Sequence, residues 1–248
     1  MSVTLVNSYY DTGTAATVVS ITTAPVAGNL LVAWLSGNDG RAILGGASVT
    51  DNLGATWDLI GTSGGLDTRG PAGLAFKVAT GGETSVTLSD VSGSGRVRVQ
   101  EFSGFVAVNP ADGAGSTAFN VSNDVGASLT ASVAPGAMLH YFVAGNGTSL
   151  RNFSPWDGET MNVAPVLITE SVGVANASNF WRRAFVYEYS STGTITLTSN
   201  VTPTGGGRAG KASRLFKTLA GVTAPTLSDL QAVSITASSV QGTYDYAF

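Results

Sequence analysis

One histidine, no cysteine and sixteen side-chain carboxylates are the chain's stock for acid–base, nucleophilic or metal chemistry. His140 lies inside the apolar run AMLHYFVAG. As the base of a Ser-His-Asp arrangement it would need an acid and a serine converging on it. The sequence supplies no strand-to-helix turn of the nucleophile-elbow kind. A lone histidine in such a strand reads as a side-chain partner on a polar or half-buried face. Zinc asks for three or four His, Cys or carboxylate ligands, and beyond His140 only scattered carboxylates are left. The expectation is a protein with no catalytic residues, no metal site and no cofactor.

The carboxylates bear on two further chemistries. Calcium needs six to eight oxygens. Asp51, Asn52 and Asp58 bracket VTDNLGATWDL, and Asp11, Asp39 and Asp124 sit in turn-like contexts, but no D-x-D-x-D cluster gathers them. The stretch reads better as a turn in which Asp51 and Asn52 bond the local backbone and Gly54 takes a positive φ. A glycosidase needs two carboxylates ~5–10 Å apart. Glu83, Glu101, Glu159, Glu170 and Glu188 are candidates, and nothing in their spacing brings any two together. GGGRAGKAS (205–213) comes close to a phosphate-binding loop from Gly205 to Lys211. Ala212 stands where a Ser or Thr must ligate Mg²⁺, and no helix pattern follows, so the stretch reads as a Gly-rich hairpin loop. The glycosylation triplets NVS, NGT, NFS, NAS and NVT are what a Ser/Thr-rich chain produces by chance.

The elements that carry these residues are strands. Short runs rich in Val, Ile, Thr and aromatics recur between Gly, Ser, Asn and Asp turns, with strands expected near 3–9, 17–23, 29–36, 47–51, 56–62, 73–79, 84–88 and 96–102. RVRVQEF (96–102) places Val97, Val99 and Glu101 on one face and Arg96, Arg98 and Gln100 on the other. No segment has an apolar pattern at helical spacing with caps, and none approaches 18 consecutive apolar residues. Charged residues are 11% of the chain and the net charge is −4, which argues against nucleic acid or an anionic membrane as partner. The start, MSVTLVNSYY, shows no secretory signal pattern. Many short strands with frequent turns indicate an all-β sandwich or barrel.

The chain also repeats itself. VAGNLLVAWLSGNDG (26–40) matches APGAMLHYFVAGNGT (134–148), with Leu31 on Leu139 and Trp34 on Phe142. AFKVATGGETSVTLS (75–89) matches AFVYEYSSTGTITLT (184–198), with Phe76 on Phe185, Val86 on Ile195 and Leu88 on Leu197. VRVQEFSG (97–104) matches RLFKTLAG (214–221). Three blocks in one order predict two tandem, internally duplicated jelly-roll-like sandwich units, at 1–105 and 106–221. These could be separate sandwiches or fused sheets. Residues 222–248 form a short β-rich tail whose apolar residues cannot enclose a core alone. Its last run, TYDYAF, makes Tyr244, Tyr246 and Phe248 candidate partner contacts by strand addition. The same strand could instead close the second sandwich. Trp34 and Trp57 read as core. Trp156, with Phe153 and Asp157 in RNFSPWDGET, could stack on a glycan, contact a partner or plug the end of the sandwich.

The series Gly28–Val32, then Val49–Trp57 with Ala55 in place of the usual Asn, then Glu101–Gly104 is similar to a β-sandwich family of tailed-phage and bacterial surface proteins. That family carries a G-N-L-L-V strand followed by V-x-D-x-x-G-N-x-W and E-[YF]-S-G. The resemblance covers about 1–220, and the tail looks like the opening strands of a fibronectin- or Ig-like module. It implies a non-enzymatic virion protein, either a head decoration (cement) protein or a tail-surface component. Such a protein would self-associate and bind other virion proteins, and would be assembled in the host cytoplasm without a signal peptide. The alternative is a carbohydrate-binding adhesin that recognises a host-surface glycan.

Overall fold

The computed structural model describes residues 3–10, 17–36, 47–61, 72–89, 96–121, 126–145, 160–161, 166–173, 180–198 and 208–220. These residues are all-β. The first eight strands are β1 (Thr4–Tyr10), β2 (Val18–Ser20), β3 (Leu30–Ser36), β4 (Ser48–Asp51), β5 (Asp58–Gly61), β6 (Ala72–Val78), β7 (Ser85–Ser89) and β8 (Arg96–Ser103). The next eight are β9 (Ala111–Val121), β10 (Ala127–Ala131), β11 (Gly136–Gly145), β12 (Thr160–Met161), β13 (Val166–Gly173), β14 (Phe180–Tyr189), β15 (Gly193–Thr198) and β16 (Arg208–Lys217). The eight strands expected in the first part all form, with ends shifted by at most three residues.

They assemble into four antiparallel sheets. β1-β8-β3-β6-β5 and β2-β7-β4 come from the first half, and β9-β16-β11-β14-β13 and β10-β15-β12 from the second. The two halves therefore have the same strand order, element for element. It is the pairing of a jelly roll, in which strands 1-8-3-6 face strands 2-7-4-5, with one change. The fifth strand leaves the smaller sheet and pairs with the sixth, as β5 does with β6 and β13 with β14.

Alternation along the central strands fixes the layers. In β3, Leu30, Val32 and Trp34 join a core shared with Ala137, Leu139 and Tyr141 of β11, so the two five-stranded sheets pack face to face. Leu31, Ala33 and Leu35 point the other way, into a core closed by Val19, Val49, Val86 and Leu88 of the three-stranded sheet. In the second half, Met138 and His140 are buried on the face away from the central core, while alternate residues of β10 and β15 (Leu129, Ile195, Leu197) are buried too. The result is a stack of four sheets. The sandwiches are neither separate nor fused into one sheet: they meet through a packed face, and one bridge, Phe105 to Thr218, joins their strand ends.

Face parity corrects the residue matching drawn from sequence. Leu31 faces the outer core and Leu139 the central one, so they are not equivalent. Cross-strand pairing puts Trp34 opposite Leu74 and Arg98, and Tyr141 opposite Ala184 and Ala212. Tyr141 shares Trp34's face and its ring meets Trp34's in the central core, so it is the matching position and the sequence match is one residue out. A slip of one residue turns every side chain to the wrong face. The match of Phe76 to Phe185 is also one residue out, because Phe76 lies in the central core and Phe185 packs beside His140 on the other face. The match of 97–104 to 214–221 is three residues out, since Glu101 pairs with Leu31 and Leu215 with Met138. Val86 and Leu88, like Ile195 and Leu197, are all buried and keep their match.

Candidate functional site

A buried polar constellation lies where two turns of the first half, 51–57 and 79–84, meet β6. Asp51 ends β4 and accepts from Leu53 N–H (2.9 Å) and Ala55 N–H (3.1 Å) through Oδ1, and from the Trp57 indole (3.2 Å) through Oδ2. Gly54 has φ +76°, a backbone conformation open to glycine at little cost. Asn52 ties the same turn to the next one, accepting from Thr84 N–H and donating to Gly82 O. The expected Asx-type turn is therefore present, and its carboxylate is occupied. Trp34 and Trp57 are both buried, as expected.

Lys77 joins this turn to Glu83. Its ammonium stands 2.5 Å from Asp51 Oδ2 and 2.8 Å from Glu83 Oε1. Glu83 also accepts from Thr80 N–H and Oγ1 and from Gly81 N–H. Burial pushes both carboxyls up, but the shared ammonium and the hydrogen bonds outweigh it. Asp51 is held below its ordinary value and Glu83 falls to about 2. The same two anions hold Lys77 above its usual range against the effect of burial. A glycosidase pair needs one carboxyl raised to act as acid. Here both are depressed, both side chains are solvent-inaccessible and a cation stands between them.

Glu101 forms a second knot. It accepts from Val26 N–H (2.8 Å), Asn29 Nδ2 (2.6 Å), Asn7 Nδ2 (2.9 Å) and Tyr9 OH (3.4 Å). Burial, with Glu101 beside it, raises the Tyr9 phenol to about 12. Asn29 belongs to the G-N-L-L-V stretch and Glu101 to the E-F-S-G stretch, so two of the three motif segments are the two ends of one hydrogen bond. The third is the Asp51–Trp57 turn. All three motifs hold strand ends together.

The remaining candidates disperse. His140 is fully buried between the second half's sheets, with Nδ1 2.7 Å from Ser213 Oγ and its ring stacked on Phe185. The sequence had placed it on a polar or half-buried face. Its register partners are Phe185 and Ser213, so what surrounds it is set by topology and not by its neighbours in sequence. Glu188 accepts from Val3 N–H at 2.5 Å, tying the two halves. Asp112 holds the Ser132–Val133 turn. Among the described residues no group of His and carboxylates could hold a metal. Lys77, Tyr9 and Asp112 carry no motif in the sequence that marks them as part of these groups. For Lys77 a signal existed, because it shares the inward face of β6 with Ala75.

Phe153, Trp156, Asp157, Tyr244, Tyr246 and Phe248 lie outside the described residues, as do Asp11, Asp39, Asp124 and Glu159. So do residues 205–207 of the Gly-rich stretch, whose remainder, from Arg208, is the start of β16 and not a hairpin loop.

The strand ends at Tyr10, Ser36, Gly61, Ser89, Val121, Gly145, Gly173 and Thr198 lie at one end of the stack. The turns 21–29, 52–57, 79–84, 104–110, 132–135 and 190–192 lie at the other. Of the exposed large apolar side chains among the described residues, Val26, Leu53, Val108 and Leu219 lie in the turns at this second end, and Val6 and Val18 lie on β1 and β2. Compared with family models, curated proteins and solved structures, the chain has no match.

Proposed function

We propose that this chain is a non-enzymatic structural protein of a tailed-phage virion, a head decoration protein or a tail-surface component. The observation that supports this reading is the polarity of the stack. Its tightly turned end carries Val26, Leu53, Val108 and Leu219 in the open, and the chain continues from Ala220 at that same end into the tail with Tyr244, Tyr246 and Phe248. Exposed apolar turn residues at the end from which the tail leaves favour a protein partner there. The partner is the underlying virion lattice. Many copies on a symmetric particle add avidity, so each contact need only be modest.

The test is co-sedimentation with particles that lack the protein. The wild-type chain binds, while Val26→Asp combined with Val108→Asp, and separately deletion of 222–248, reduce binding at least tenfold and leave a folded body. Retained binding by both variants would move the attachment to the sandwich edges. No particle binding, together with a hit on a glycan array that is lost in Trp156→Ala, would replace the virion reading with the adhesin.

A further inference from the structure

We infer that the two halves are a pseudo-two-fold pair held by their packed faces, each five-stranded face being shaped for the other half of the chain and not for a second copy of itself. Exchanging each strand with the one eight places on maps every sheet onto its partner. It also maps the contact of β1 with β13 onto that of β9 with β5, and both contacts exist, whereas the close approach of β6 to β16 and β11, and of β5 to β16, has no equally close image, so the two-fold is approximate. Such exchange is the signature of an isologous interface. The axis runs along the strands, because β8 and β16 are equivalent and finish at the same end, where Leu219 N–H donates to Gly104 O at 2.8 Å beside the Phe105–Thr218 bridge. In an isologous interface only residues on the axis meet their own counterparts. Trp34 and Tyr141 are counterparts, and their rings lie 5.6 Å apart at the centre of the shared core.

The pair has nevertheless become selective. Counterpart positions in the shared core read Leu30 against Ala137, Leu74 against Ala184 and Phe76 against Val186. At these three positions the first half supplies the bulk and the second the space, while Val32 against Leu139 reverses the order and Phe102 against Phe216 is even. Two first-half faces would overpack, and two second-half faces would leave voids. Gly115 on β9 makes the same point at the rim, since a Cβ there would stand 2.7 Å from Ile60 Cδ1 of β5.

The full chain tests this. A protease site is inserted after Val108, which is 75% exposed in the 104–110 connection, and the uncut variant serves as folding control. After cutting, the two pieces are expected to elute as one 1:1 species at the mass of one chain. The cut protein's Tm should then rise with concentration while the uncut protein's does not. In the cut background Ala184→Leu should weaken association at least tenfold. Separation of the pieces on the column would show that the connection holds the halves and overturn the inference. Reappearance of either piece as a homodimer, or unchanged association in Ala184→Leu, would overturn the selectivity.

Discussion

The two halves share a topology and close it with different chemistry. In the first half Asn29 donates to Glu101, and Lys77 bridges Asp51 and Glu83. At the equivalent pairing positions of the second half stand Gly136, Leu215 and Tyr187. There the Tyr189 hydroxyl lies against Gly136, where a Cβ would collide with it, and Phe185 and Tyr187 stack 5.6 Å apart. Burial, helped by Asp112, raises the Tyr189 phenol above its ordinary range. The exchange also runs the other way, since the apolar pair Ala33 and Val99 becomes His140 and Ser213. Strand order is thus set by where apolar residues alternate and where turns fall. The polar ties are local solutions that either half can replace.

That contrast can be broken most forcefully at the tryptophans. Truncating Trp34 or Trp57 to Ala should each cost about 3–5 kcal/mol, as for large core aromatics. Trp34 sits in the shared core and also donates to Gln100 at 2.7 Å, so its loss should lower hydrogen-exchange protection in both halves. Trp57 belongs to the first half's outer core, and its loss should be felt mainly there. Equal spread from both sites would mean the cores are not distinct.

Lys77→Met leaves two buried carboxylates unpaired and should cost about 3–5 kcal/mol by denaturant unfolding, as for a broken buried ion pair. Acid sharpens the same point. Asp51 and Glu83 are depressed in the folded state, so their stabilisation is complete above the ordinary carboxyl pKa values and is lost as pH falls toward 2. The Glu83 share is about 3 kcal/mol from the linkage relation. Unfolding between pH 5 and 2 should therefore loosen the first half's turns before the second half's aromatic stack, as read by exchange protection. Glu101→Leu installs the second half's residue at that position. It should cost about 1–3 kcal/mol, because Val26 N–H, Asn7 and Asn29 lose their acceptor. A neutral outcome would show that the knot adds nothing to the strand pairing.

Much of this was legible in the sequence. The first half's strands, the Asp51 turn, the burial of both tryptophans and the inward face of Glu101 follow from alternation and turn chemistry. The second half was legible only as an echo of the first, and that echo slipped by a residue because Leu31/Leu139 and Trp34/Phe142 look alike whichever face they occupy. Asn29 and Glu101 were visible as motif letters but not as partners, since only the sheet order brings β3 beside β8. Ser213 was invisible as the partner of His140 for the same reason.

The packing of one half on the other is tested most directly by a double-mutant cycle on Trp34 and Tyr141, using Trp34→Ala and Tyr141→Ala in the full chain. Rings in contact across the shared core should couple by about 0.5–1.5 kcal/mol, so that the double variant loses less than the two single losses together. Losses that add to within about 0.5 kcal/mol would mean that the two residues do not meet, and would contradict the face-to-face packing of the five-stranded sheets.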